Sequence, residues 1–191
     1  MAQRLLSIEL PTHLSSLSDP DPTLEVHTNT YPDLRPDGNP VLVRTSEGEV
    51  VSRYDDDKWD FTPYRKINSS QYVKVNFARL PVRQRAGAKW LIYLFAYYSP
   101  TNQPLKSVTS IASLMRAIKY LADFAESKNV SIIEVIDHTD YLIKFLRNSY
   151  PPSCFVALYA LVNLLLDLQT RHSGFRGISQ TSKKFVSDKL L

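Results

Sequence analysis

The chain has 191 residues, 43% of them hydrophobic, a formal net charge of +4 and one cysteine, Cys154. That supports one domain with a real core, with or without an extension, and no run of 18 apolar residues is present to cross a membrane. The opening MAQRLLSIELPTHLSS is broken by Glu9 and Pro11 and lacks a small-residue cleavage site, so it does not read as a signal peptide.

A lone cysteine cannot close an internal disulfide, which suits a reducing cytoplasm, and its apolar setting reads as a buried small side chain. The charge is unevenly placed. Residues 1–75 hold 8 Lys/Arg against 12 Asp/Glu, a balance of −4, and residues 76–191 hold 15 against 7, a balance of +8. Such asymmetry points to nucleic-acid contact, or to one half screening the other.

From Pro11 to Pro40 six prolines recur among Asp, Thr, Asn and Ser, which reads as an extended arm. Pro40 to Tyr54 reads as a β-hairpin: the β-branched runs Val41–Thr45 and Val50–Tyr54 flank the turn signal Ser46-Glu47-Gly48-Glu49. Asp55 to Lys58 is a charged turn, without the ligand spacing of a calcium loop. The cluster Trp59-Asp60-Phe61-Thr62-Pro63-Tyr64 is expected to clasp the extension to a helical body, in preference to stacking on bases. Gln71–Phe77 alternates weakly and is either a short strand or a lead-in to the helices.

Four bases and no acid follow in Arg79–Lys89, namely Arg79, Arg83, Arg85 and Lys89. The helix expected over Ala88–Tyr98 is apolar or aromatic almost all round, so it is buried or meets a partner, and the 41–64 extension is expected to cover its Trp90 and Phe95. The stretch Ser107–Lys128 carries the firmest periodicity in the chain. Val108, Ile111, Leu114, Met115, Ile118, Leu121, Ala122 and Ala125 make one helix face, with Ser107 or Thr109 as cap and Asn129 as a stop. Arg116, Lys119 and Asp123 fall on the opposite side. Ile132–Ile136 is a short apolar segment, Thr139 or Asp140 caps a helix over Tyr141–Arg147, and a last main helix runs from Cys154 to Thr170. The basic end, from Arg171, reads as a linker with a short helix over Ser179–Leu190.

No glycine-rich phosphate loop, no His/Cys pair at metal spacing and no nucleophile with an activating partner can be nominated, so neither a cofactor nor catalysis is expected. His138, between Asp137 and Asp140, reads as a solvated residue near a helix start.

The order of elements from Ser107-Val108-Thr109, through Val130–Ile136, Thr139-Asp140 and Phe145-Leu146, to Pro151-Pro152-Ser153 and the helix carrying Leu158, Leu161, Leu165 and Leu168 resembles the N-terminal core-binding domain of tyrosine recombinases, the phage-integrase family. The resemblance covers residues 107–170, about a third of the chain. It implies a mainly α fold, a four-to-five-helix SAM-like bundle, here preceded by the arm and the β-hairpin. The divisions are an extension over 1–75, a core-binding domain over 76–170 and a basic linker over 171–191. It also implies duplex DNA as partner, self-association on that DNA, and a sequence-recognising or DNA-positioning role. The family's catalytic domain carries a His-x-x-Arg motif, and no histidine here has Arg three residues later, so no catalysis is expected. The residues assigned to DNA are Arg79, Arg83, Arg85, Lys89, Lys106, Ser107, Thr109, Arg116 and Lys119, through phosphate neutralisation and hydroxyl contact. The alternative is a protein-interaction module that docks through the aromatic helix 88–98.

Overall fold

Thr45 turns the chain where the sequence places a hairpin. Its hydroxyl accepts from the N–H groups of Glu47 (3.3 Å) and Glu49 (3.2 Å), and Gly48 supplies φ = 90°, which favours glycine. This closes β1 (Val41–Arg44) onto β2 (Val50–Arg53) as an antiparallel pair. The register shifts between Val41 and Val43 and again before Arg44, and the irregularity lets neighbouring Leu42 and Val43 both be buried. The computed structural model describes residues 34–36, 38–64, 73–98, 108–148 and 154–171. Most of the proline-rich arm, Lys106, Ser107 and the basic end beyond Arg171 lie outside the described residues. Leu34, near the arm's end, is buried.

A second antiparallel pair was not foreseen as a pair. Strand β3 (Lys58–Asp60) sits where the charged turn and the aromatic cluster were expected to meet, and it pairs with β4 (Lys74–Asn76). Main-chain bonds from Phe77 to Asp57 (2.8 Å) and from Phe61 to Val73 (2.8 Å) extend this ladder at both ends. Lys74 and Asp60, directly opposite, form an ion pair at 3.0 Å. The buried Ser52 ties the two pairs together by accepting from the Asp60 N–H at 2.8 Å. Strand β4 thus spans the 75/76 division drawn from composition. Among the described residues, every strand precedes residue 81.

Five helices follow among the described residues: α1 (Val82–Tyr97), α2 (Thr109–Ser127), α3 (Ile132–Asp137), α4 (Thr139–Asn148) and α5 (Phe155–Arg171). Helix α1 begins six residues earlier than the aromatic run suggested. Pro81 stands at its N-cap, where its carbonyl accepts from Gln84 N–H at 2.9 Å, and the Arg-Gln-Arg-Ala stretch is good helix former. The bases Arg83 and Arg85 therefore lie within the helix and not ahead of it. Helix α2 is unbroken and ends as Asn129 implied. Asn129 takes φ = 56°, its N–H bonds to Glu126 carbonyl (3.0 Å), and Val130 N–H bonds to Ala125 carbonyl (3.0 Å), which is a Schellman closure. Its start differs from expectation: the N-cap residue is Val108, with no side-chain cap.

Ser131 starts α3 by accepting from Glu134 N–H (3.1 Å), while the Glu134 carboxylate accepts from Ser131 N–H (2.6 Å). The Ser131 N–H foremost, and then the Ser131 hydroxyl, hold the Glu134 carboxyl below its ordinary range by hydrogen bonding to it. Thr139 and Asp140 lie inside α4, and His138, which closes α3, offers its carbonyl to Leu142 N–H (3.0 Å).

One core runs through strands and helices, from Leu34 to Leu168. Cys154 is buried in it, as its apolar setting implied. Ile118 and Leu121 are 1% and 0% exposed. Leu121→Ala is therefore expected to lower stability by about 2–5 kcal/mol, transfer plus cavity, in urea denaturation. A loss below about 1 kcal/mol would contradict its place in the core.

Candidate nucleic-acid interface

Of the nine residues assigned to DNA from the sequence, the seven that are described do not form one group. Arg85, half-buried, donates from Nε to Leu80 carbonyl (3.1 Å) and from its terminal nitrogen to Ala78 carbonyl (3.0 Å). Lys89 donates from Nζ to Asp55 carbonyl (2.7 Å), lies 3.8 Å from the Asp57 carboxylate and stands 5.8 Å from the Phe77 ring centroid. Its side chain is only 14% exposed. Both bases thus join α1 to the chain before it.

The same helix stripe continues in aromatic form. Tyr93 meets Tyr54 edge-on at 5.5 Å, and the Tyr97 hydroxyl donates to Leu42 carbonyl. Burial raises the Tyr97 hydroxyl well above its ordinary pKa and raises that of Tyr54 to about 12, so both stay protonated. Lys89, Tyr93 and Tyr97 on α1 each meet the extension in this way. Trp90 is also buried, and Phe95 is half-buried. Trp90, Leu91, Ile92, Tyr93, Leu94, Ala96 and Tyr97 are all buried within this chain, which leaves little of the 88–98 helix for a partner to dock on.

Arg79 and Arg83 are exposed. The Arg83 guanidinium donates to the Asn129 side-chain carbonyl, which sets the start of α1 against the end of α2. Arg116 lies about 20 Å back along the α2 axis from that end. The structure therefore parts the predicted bases into two groups, one at the start of α1 and one on the first half of α2.

The α2 group is the more open. Thr109, Ser110, Ser113, Arg116, Lys119 and Tyr120 are all exposed. Thr109, Ser113, Arg116 and Tyr120 follow each other at helical spacing and so share one stripe, with Lys119 beside it. Neither Arg116 nor Lys119 is in either of the two ion pairs found among the described residues. No Asp or Glu occurs between Thr109 and Ala122. Ser110, Ser113 and Tyr120 were missed as site candidates. The signal for Ser113 and Tyr120 was the helical period itself, which places them in register with Arg116. Lys144 and Arg147 on α4 are further exposed bases that the sequence reading did not single out.

Among the described residues no helix is long and apolar enough to cross a membrane. Comparison with protein-family models, with curated proteins and with solved structures finds no match to this chain.

Proposed function

We propose that this chain binds duplex DNA as the N-terminal, non-catalytic part of an integrase-like recombinase, in a cytoplasmic setting, with the first half of α2 as its main phosphate contact. The observation that carries this reading is the exposed, acid-free stripe from Thr109 to Tyr120, where hydroxyls alternate with Arg116 and Lys119, neither of them ion-paired among the described residues. Cations of this kind neutralise phosphates and release counterions, and hydroxyls at a helix start fix register on the backbone. The helix order that resembles a core-binding domain supports the same reading. Arg79 and Arg83, exposed near the start of α1, lie outside this contact. Arg85 and Lys89 hold the fold together and are left out of the phosphate set. Self-association on the DNA belongs to the proposal as well.

Gel-shift titration at several salt concentrations tests it. Arg116→Ala with Lys119→Ala is expected to weaken binding and to flatten the slope of log affinity against log salt by about two units, one per lost phosphate contact. Arg4→Ala, in the acidic part of the sequence, should change little. Neither cleavage of the duplex nor covalent attachment is expected. Absence of binding at low salt, or tight binding that ignores salt, would overturn the proposal.

A further inference from the structure

The exposed face of α2 reverses its sign within one turn. After the hydroxyl and basic positions comes Asp123, exposed, and then Glu126, also exposed. Asp123 is seven residues beyond Arg116 and four beyond Lys119, about 10 Å and 6 Å along the axis. It is close enough for either cation to be drawn towards it, yet among the described residues it is in no ion pair. Glu126 differs, because its carboxylate accepts from Gln84 Nε2 at 3.0 Å and so has a part in the fold.

This order works against the helix itself. The positive end of the macrodipole favours acids in the first turn, and the negative end favours bases in the last. Helix α2 has no acid in its first turn and no base in its last, Glu126 stands in that last turn, and a base follows only at the C-cap, Lys128. The macrodipole therefore does not account for the acid-free first half. An anion lying over the first half does, because the phosphates would then meet hydroxyls and cations and stop short of the carboxylates.

We propose that Asp123 confines the duplex to the first half of α2, so that the DNA crosses the helix and does not follow its length. This rests on the DNA-binding reading above. Duplex DNA carries one charge per about 1.7 Å of axis, so a duplex laid along all of α2 would bring several phosphates over Asp123 and Glu126. Crossing limits the contact to roughly 15 Å of helix, from Thr109 to Lys119.

The test is gel-shift titration of the full chain carrying Asp123→Asn or Asp123→Lys, with Glu49→Gln in the exposed β1–β2 turn as control. Asp123→Asn is expected to tighten binding about two- to fivefold at low salt, by removing one screened repulsion. Asp123→Lys should tighten it further and steepen the salt slope by about one unit, as a new phosphate contact forms. Glu49→Gln should leave both unchanged. A merely structural role for Asp123 would shift the melting temperature and leave the salt slope alone, and that result overturns the inference. Wild-type affinity and slope in both Asp123 variants, while Arg116→Ala still weakens binding, would refute confinement and keep the DNA reading. No binding by any variant at low salt would refute both.

Discussion

Trp59→Ala is expected to lower the unfolding free energy by about 3–5 kcal/mol, the range for removing a buried indole. Trp59 is fully buried, with its ring centroid 4.7 Å from Phe77, 5.6 Å from Tyr54 and 6.4 Å from Phe61, and its Nε1 donates to Tyr54 carbonyl at 3.2 Å. Truncation removes those contacts and leaves a cavity between the two strand pairs. The strands share one core with the helices, so the far-UV signal of the helices should melt together with the near-UV signal of the aromatic cluster, both at the lowered midpoint. A helical transition that stays at the wild-type midpoint would mean that the strands fold as a separate appendage. Trp59→Phe keeps a ring in the site and should lose less.

Gln84→Leu is the second large effect, and here the chemistry is polar. Gln84 is 0% exposed, yet its amide is satisfied on both sides. Nε2 donates to Glu126 carboxylate (3.0 Å) and to Val130 carbonyl (2.9 Å), and Oε1 accepts from Ile132 N–H (2.9 Å). One side chain on α1 thus fixes the turn between α2 and α3. Leucine fills similar space and leaves the buried Ile132 N–H without that partner, as well as the Val130 carbonyl. Each orphaned buried group costs about 1–3 kcal/mol, so a loss of about 2–4 kcal/mol is expected in urea denaturation. Loss of hydrogen-exchange protection at the Ile132 amide would locate the damage. Unchanged protection there, with stability within about 0.5 kcal/mol of wild type, would show that the amide network contributes nothing.

The same junction explains Gly87. A Cβ at that position would stand 2.9 Å from Ile132 Cγ1 and 3.1 Å from its Cδ1, so glycine permits the close approach of α1 to α3. Gln84, Gly87 and the Arg83–Asn129 bond all act at this one corner, where the chain passes from α2 to α3.

Local pattern was enough for several features. The apolar period of Ser107–Lys128 together with Asn129 determined α2 and its end, because a 3.6-residue repeat and a residue tolerant of positive φ act through neighbours in the chain. The β1–β2 hairpin was legible for the same reason, in two β-branched runs about a glycine turn. The start of α3 was also encoded locally, in the spacing of Ser131 and Glu134, though a reading by hydrophobicity alone passes over it.

What only the tertiary structure decided is which long-range partner each group meets. The pairing of β3 with β4 joins strands separated by residues 61–73, and three-residue strands carry too little alternation to announce a register. The bases show this most clearly. Arg79, Arg83, Arg85 and Lys89 look alike as a run of charge. The fold gives Arg85 the carbonyls of Ala78 and Leu80, gives Lys89 the carbonyl of Asp55, 34 residues away, and leaves Arg116 and Lys119 facing solvent. A flexible cationic side chain binds whichever acceptor packing brings within reach, and backbone carbonyls have no signature in the sequence. Composition by itself determined that the second half of the chain is basic, and three-dimensional packing decided which of those charges remain open to a phosphate.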